Sequence, residues 1–355
     1  MKSKNNLSDK IAKLGLSQKE FAEQVGYTTQ TISRIKSSDE IPKTLSLAIE
    51  ALENRYNKQE ISLSNEMMTW DDIDNIPEAQ HIISGLEIGS VGSIIAPGGL
   101  GKSYLALSIA ASLGSKKDIV GLKTDNKTYK TCYLSAEESI KELAKRSRSL
   151  LSLFENSDQE RIKSNVHIFS LAGKSPSLLN KNGIRNLDWV KFVKAEAAKV
   201  DLIIIDTLNK FHRGDENSVA DVTELTELLF EIGNQCNCAV LVLHHANKLS
   251  QQQGTTSDQS ASRGSSALTD NVRFQLNLVG MTSAEAKEYQ VNKQDFIKIV
   301  GPKTNYTSAF NSEIWLKRND GGALSKTELK KTKKTKLSET KTDLDVGLSR
   351  FIKKK

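Results

Sequence analysis

Lys102 and Ser103 close the run Ala96-Pro97-Gly98-Gly99-Leu100-Gly101-Lys102-Ser103, which has the chemistry of a phosphate cradle although alanine stands at its first glycine position. Glycines let backbone N–H groups turn onto phosphate oxygens with no Cβ in the way. A lysine there reaches the outer phosphates, and a serine hydroxyl suits Mg²⁺. Residues 91–95 read as a short buried strand and residues 104–110 as a helix. In that order, the positive end of the helix dipole falls on the bound anion. The expected contacts of a nucleoside triphosphate are Pro97, Gly98, Gly99, Leu100, Gly101, Lys102, Ser103 and Tyr104.

Three later strand ends carry side chains that complete such a site. Asp206 ends the β-branched run 202–205 and is expected to hold Mg²⁺-bound water, the alternative being a helix cap. Glu137 follows 131–136 and is expected to act as general base on a water in line with the γ-phosphate, with Glu138 in support. An acid pair at a helix N-terminus would look the same. His244 and His245 follow 239–243 and read as reporters of the γ-phosphate, or else as structural histidines. Ligands of open α/β sheets sit beyond the carboxyl ends of the strands, so these residues should gather around the loop. Arg263, Arg273, Lys303 and Arg318 are cations that could reach into a neighbouring copy's site, though each also reads as a surface charge.

The elements that must position these groups are seven strands, expected at 90–95, 129–135, 166–170, 202–205, 239–243, 274–279 and 296–300. Helical patterns alternate with them, which implies a mostly parallel, twisted α/β sheet over residues 81–320. Residues 58–80 read as a linker. Residues 321–355 read as a basic, disordered tail with one short helix near 344–351. Eleven of the 50 basic and four of the 43 acidic residues lie in 325–355, so this tail alone accounts for the net charge of +7. Such a tail attracts nucleic acid or is merely solvated. No run of 18 apolar residues exists, so no membrane-spanning helix is expected, and the N-terminus lacks the apolar core of a signal peptide. Cys132, Cys236 and Cys238 suit core thiols in a reducing, cytoplasmic setting better than disulfides or a metal site.

Residues 1–57 form a separate helical region with Leu7, Ile11, Leu14, Leu16, Phe21, Ala22, Val25, Ile32, Ile35, Leu45 and Leu52 as its expected core. Ser17-Gln18-Lys19-Glu20 is a capping-box start, and Gly26 permits a turn into a second helix from Thr28 to Ile35. This predicts a helix-turn-helix with Thr29, Gln30, Ser33, Arg34 and Lys36 turned outward to base edges and phosphates of duplex DNA. A helical module that docks onto protein is the alternative.

The ordered set 96–103, Tyr-Leu-Ser-Ala-Glu-Glu (133–138), Ile-Ile-Ile-Asp-Thr-Leu-Asn-Lys-Phe-His (203–212), Leu-Val-Leu-His-His (241–245) and Ser-Arg-Gly-Ser-Ser-Ala-Leu-Thr-Asp-Asn-Val-Arg (262–273) resembles the RepA-type plasmid replicative DNA helicases. The resemblance covers about residues 80–320 and implies a RecA-like P-loop core shared with DnaB-type helicases. It further implies a homo-hexameric ring with ATP and Mg²⁺ at the subunit interfaces and single-stranded DNA in the channel. Under it, Lys102 and Ser103 bind phosphate and Mg²⁺, Glu137 activates water, Asp206 supports the metal and His245 senses the γ-phosphate. Arg273 is the finger supplied across the interface, Lys303 a second contact of that kind, and residues 207–220 and 246–262 the channel loops. The N-terminal module lies outside that family's pattern and looks like a Cro-type repressor domain. Two other outputs fit the same residues: an ATP-switched regulator or partition-type ATPase that does not translocate, and a recombination or repair ATPase.

Overall fold

Runs of Val, Ile and Leu with no polar alternation must be covered on both faces, and in this chain they become interior strands. The computed structural model describes residues 7–13, 16–38, 40–56, 70–180, 183–214, 218–246, 266–304 and 313–331. The chain divides into two compact units, residues 1–78 and 79–355.

In the first unit, α1 (Leu7–Lys13), α2 (Gln18–Val25), α3 (Thr29–Lys36) and α4 (Lys43–Tyr56) enclose a small core. Leu7, Ile11, Phe21, Ala22, Ile32, Leu45 and Leu52 are buried as expected, with Leu16, Val25 and Ile35 packed against them. Ile49 joins them from α4; Leu14 lies outside the described residues. The Ser17 hydroxyl accepts from the Glu20 amide while the Glu20 carboxylate accepts from the Ser17 amide, the reciprocal cap foreseen for α2. Gly26 ends that helix at φ +73°, a conformation that costs a side-chain-bearing residue.

The second unit opens with a hairpin of β1 (His81–Ile83) and β2 (Leu86–Glu87). Its strands continue as β3 (Val91–Ala96), β4 (Thr131–Ser135), β5 (Val166–Ser170), β6 (Leu202–Asp206), β7 (Ala239–His245), β8 (Phe274–Gly280), β9 (Phe296–Thr304), β10 (Ile314–Arg318) and β11 (Leu324–Lys326). Among the described residues the main sheet has nine strands in the order β11-β10-β9-β8-β3-β7-β6-β4-β5. The six from β8 to β5 are parallel, and β9, β10 and β11 run antiparallel at one edge. This is the mostly parallel α/β architecture expected from the alternating pattern, preceded by a small all-α helix-turn-helix unit.

Both faces of the sheet are covered. Ile94 and Ile95 of β3 point to opposite sides, as adjacent strand residues must. Ile94 joins a core with α5 (Lys102–Gly114), α6 (Ile140–Leu151) and α7 (Asn156–Asn165). Ile95 joins a second core with α8 (Leu187–Ala197), α9 (Val219–Cys236) and α10 (Ser266–Asn271). A last short helix, α11 (Ser283–Tyr289), precedes β9.

The sheet continues past residue 320, where the lysine-rich composition predicted a tail. Ala323 and Leu324 are fully buried, and that pair is enough to add β11 to the edge. The helix expected near 344–351 lies outside the described residues. No described helix is long and apolar enough to cross a membrane. Cys132 and Cys238 are buried free thiols, and burial pushes both up to about 12.

Candidate functional site

Strand register decides which side chains meet. Ala96 of β3 lies level with His245 of β7, and Asp206 of β6 lies level with Ser135 of β4. Since β3, β7, β6 and β4 are consecutive in the sheet, the glycine loop, His245, Asp206 and Glu137 occupy neighbouring carboxyl ends. Gly101 starts α5 at φ +111°, and a Cβ there would crowd the Arg318 guanidinium at 3.2 Å. That conformation aims the first amides of α5 into the loop.

Lys102 is 6% exposed and its ammonium donates to the Ala96 and Pro97 carbonyls at 3.0 and 3.1 Å. It also lies 3.0 Å from His245 Nδ1, which must accept because the ammonium has no lone pair. Burial lowers the lysine to about 8, while Asp206 and Glu137 pull the other way. His244 takes the opposite face of β7 and is buried; that burial, with His245 and Lys102 nearby, lowers it to about 4.

Asp206 is buried and accepts from the hydroxyl of Tyr133, which is fully enclosed. Ser103, in the first turn of α5, stands near the same phenol. A serine hydroxyl and a carboxylate are hard oxygen donors of the kind that Mg²⁺ takes, so this pair fits that ion. Glu137 is exposed at the tip of β4. Glu138 is held by Arg146 at 2.5 Å, and Arg146 in turn lies 4.9 Å over the Tyr104 ring. Of the two acids, Glu137 is the one whose charge acts on Lys102.

The four cations expected to reach a neighbouring copy separate. Arg318 does not reach outward: it is half-buried and donates to the Leu100 carbonyl of its own glycine loop. The antiparallel strand β10 carries it back to that end of the sheet, which its distance in sequence concealed. Arg273 is exposed just before β8, where its amide donates to the Val91 carbonyl at the start of β3. It therefore stands at the opposite end of the sheet from its own glycine loop, about 16 Å away along five rungs of strand. Lys303 pairs with Gln275 at that same end; its side chain, and all of Arg263, lie outside the described residues. Of the two loops that the resemblance implied, 207–220 begins with a 3₁₀ turn, Leu208–Lys210, and buried Phe211, whereas 247–262 lies outside the described residues.

In the helix-turn-helix unit, Thr29, Gln30, Ser33 and Arg34 are exposed on α3 and line a polar depression together with Gln18. Gln18 donates to Ser33 Oγ at 2.8 Å and to the Thr29 carbonyl at 3.2 Å. Lys36 does not face outward as expected: it is half-buried and its ammonium donates to Gln18 Oε1 at 3.0 Å. The reason is helical geometry, since residues 33 and 36 share a face and Gln18 lies against it.

Tyr133, Arg146 and Gln18 were not legible as site residues, and Arg318 was legible only as a cation for a neighbouring copy, not for its own glycine loop. A tyrosine inside an apolar strand reads as core, and arginines on helices and edge strands read as solvated charge. Only capping sense singled out Gln18's neighbourhood.

Comparison with solved structures finds a DnaB-like replicative helicase described with its interactions with primase, at 14% identity and TM-score 0.49, covering 91% of either chain. A second solved structure, described as an ATPase domain, matches at 15% identity and TM-score 0.47, covering 76% of this chain and all of that one. A RadB recombinase matches at 13% identity and TM-score 0.44, covering 69% of this chain and 93% of that one. The family described as helix-turn-helix matches residues 7–53. Residues 59–251, more than half of the sequence and including the glycine loop, Glu137, Asp206 and His245, match the family described as AAA domain, and the chain belongs to that family.

Proposed function

We propose that this protein is an ATP-dependent DNA helicase of a plasmid or other mobile element, akin to the RepA type. In this reading it works as a homo-hexamer with ATP and Mg²⁺ at the subunit interfaces. The observation that carries it is the division of charge between the two ends of the sheet. Lys102, His245, Asp206 and Glu137 share the carboxyl ends of four adjacent strands, while Arg273 is exposed at the other end. An arginine so placed cannot serve its own nucleotide, but it suits the site of a next subunit in a head-to-tail ring.

The residues divide the work as follows. Pro97 to Tyr104 hold the phosphates, and Ser103 with Asp206 hold Mg²⁺, which when bound neutralises phosphate charge. Glu137 orients and deprotonates the attacking water. Lys102, now resting on loop carbonyls and His245, turns to the γ-phosphate and releases His245 Nδ1. His245 thereby signals the state of the nucleotide to the chain that follows it. Single-stranded DNA would occupy the channel, and the helix-turn-helix would bring the ring to a duplex site through Thr29, Gln30, Ser33 and Arg34.

Strand displacement on a forked duplex with Mg²⁺ and ATP tests this reading. The wild type should unwind it and Lys102→Ala should not; an assembled wild type without ATP-dependent unwinding overturns it. The exposed polar face of α3 favours a second reading, an ATP-switched regulator that does not translocate. In that case specific duplex, not single strands, would stimulate ATP hydrolysis.

A further inference from the structure

Arg146 gathers more contacts beside the glycine loop than a solvated cation makes. It lies on α6, and its side chain is 14% exposed. Its Nη2 donates to Glu138 Oε1 at 2.5 Å, and its Nε donates to Glu142 Oε1 at 3.3 Å, one turn earlier on the same helix. The guanidinium carbon meanwhile lies 4.9 Å from the centre of the Tyr104 ring, which follows Ser103 on α5. That ring is fixed in turn: a Cβ on Gly322, in the turn before β11, would stand 2.6 Å from its Cζ. A planar fork can cover a ring and donate sideways at once, which an ammonium cannot. Arg146 therefore ties the turn after β4 to the first turn of the phosphate-loop helix.

The turn so tied is the one that carries Glu137. Glu138 is held through its amide, which donates to Ser135 Oγ at 3.3 Å, and through its carbonyl, which accepts from Ser170 Oγ at 2.7 Å. Its carboxylate takes Arg146. On the other side, the Ala136 amide donates to the Asp206 carbonyl at 2.7 Å. Glu137 stands exposed between these two anchored neighbours, so its backbone is fixed while its carboxylate faces solvent. A general base needs that division. A displacement of about 1 Å costs about a hundredfold in rate, and a carboxylate held in an ion pair is a poor acceptor of protons. Placing the ion pair on Glu138 spares Glu137 and balances the negative charge beside it.

We infer that Arg146 is a positioning residue for hydrolysis: by holding Glu138 against Tyr104, it fixes where Glu137 stands relative to the glycine loop. This inference rests on reading Glu137 as the general base. The role belongs to the chemical step, because the tether ends on the acid segment and not on the carbonyls and imidazole that hold Lys102.

The test is steady-state hydrolysis of ATP by the full chain with Mg²⁺, alongside titration with mant-ATP. Arg146→Met keeps an aliphatic stem against the Tyr104 ring and removes the fork. It should lower kcat about tenfold to a hundredfold and leave mant-ATP affinity within about twofold. Glu138→Ala removes the other end of the tether and should show the same split. The double variant should be worse than the more severe single one by less than about twofold. In a Glu137→Gln background, itself about a thousandfold slower than wild type, neither change should cost more than about twofold. An arginine that only supports the fold would weaken nucleotide affinity along with kcat, or slow the Glu137→Gln protein as much as the wild type. Either result overturns the inference. Where Arg146→Met does not fold, Glu138→Ala decides the matter, and an unchanged kcat there overturns the inference. Hydrolysis at the wild-type rate by Glu137→Gln overturns the reading of Glu137 as the base. A thousandfold loss in that variant with full activity in Arg146→Met overturns the role of Arg146 alone.

Discussion

At the scale of single residues, Lys102 has a charge that its surroundings make unusually easy to lose. Burial lowers it to about 8, and the groups it now touches are two carbonyls and a neutral imidazole. Phosphate oxygens would hold the proton far more strongly, so nucleotide binding should raise the lysine back toward its ordinary value. A base whose affinity for protons rises on binding takes protons up, and binding then weakens as pH climbs through its free-state value. At pH 8 ATP should therefore bind with uptake of about half a proton, and affinity should fall by up to about tenfold per pH unit above that. Calorimetry in two buffers of different ionisation enthalpy reads the uptake directly, and Lys102→Arg should abolish it. Lys102, Asp206 and His245 were legible in the sequence because each ends an apolar run at a place where strand geometry fixes its direction. Tyr133 was not, and Arg318 was legible only as a cation for another copy, because what gives each its place is a partner distant in sequence, and periodicity carries no information about partners.

The strand is the element that separates His244 from its neighbour. Both follow the same apolar run, which does not separate them; only the family resemblance singled out His245. The pleat resolves the pair: His245 meets Lys102, whereas His244 goes into the interior, where burial lowers it to about 4. Unfolded, it would titrate near 6.5. Between those values the unfolded chain binds a proton that the folded one refuses, so folding stability falls as pH drops from 6.5 to 4. The loss attributable to His244 is about 3 kcal/mol over that window, and it is absent above about pH 7. Urea denaturation at about pH 7 and about pH 4.5 should show a smaller acid loss for His244→Asn than for wild type. An equal loss in both would place the acid sensitivity elsewhere. Unbroken apolar runs made the strands legible from 90 to 300, the six parallel ones and β9. That signal failed at β11, a three-residue edge strand whose apolar content is too short to stand out from a lysine-rich segment.

For the whole molecule, the spacing of Arg273 from the loop it would serve has an energetic consequence that point variants alone do not isolate. About five strand rungs separate it from its own phosphate site, a gap no arginine spans, so any help it gives to hydrolysis must come from another copy. Arg273→Ala should then leave ATP binding unchanged and slow hydrolysis by about a thousandfold. Lys102→Ala should be inactive because it cannot hold the phosphates. Mixed in equal amounts and allowed to exchange, the two inactive proteins should regain hydrolysis. A ring assembled at random pairs an intact loop from one variant with an intact arginine from the other at about a quarter of its interfaces. A site complete within one chain gives no recovery at any ratio, since every molecule in the mixture lacks one of the two groups. Recovery that rises and falls with mixing ratio, peaking near equal amounts, would fix Arg273 as a group delivered between subunits. Its absence in a mixture shown to exchange subunits would remove the interface from the proposed mechanism and leave a chain that hydrolyses ATP alone.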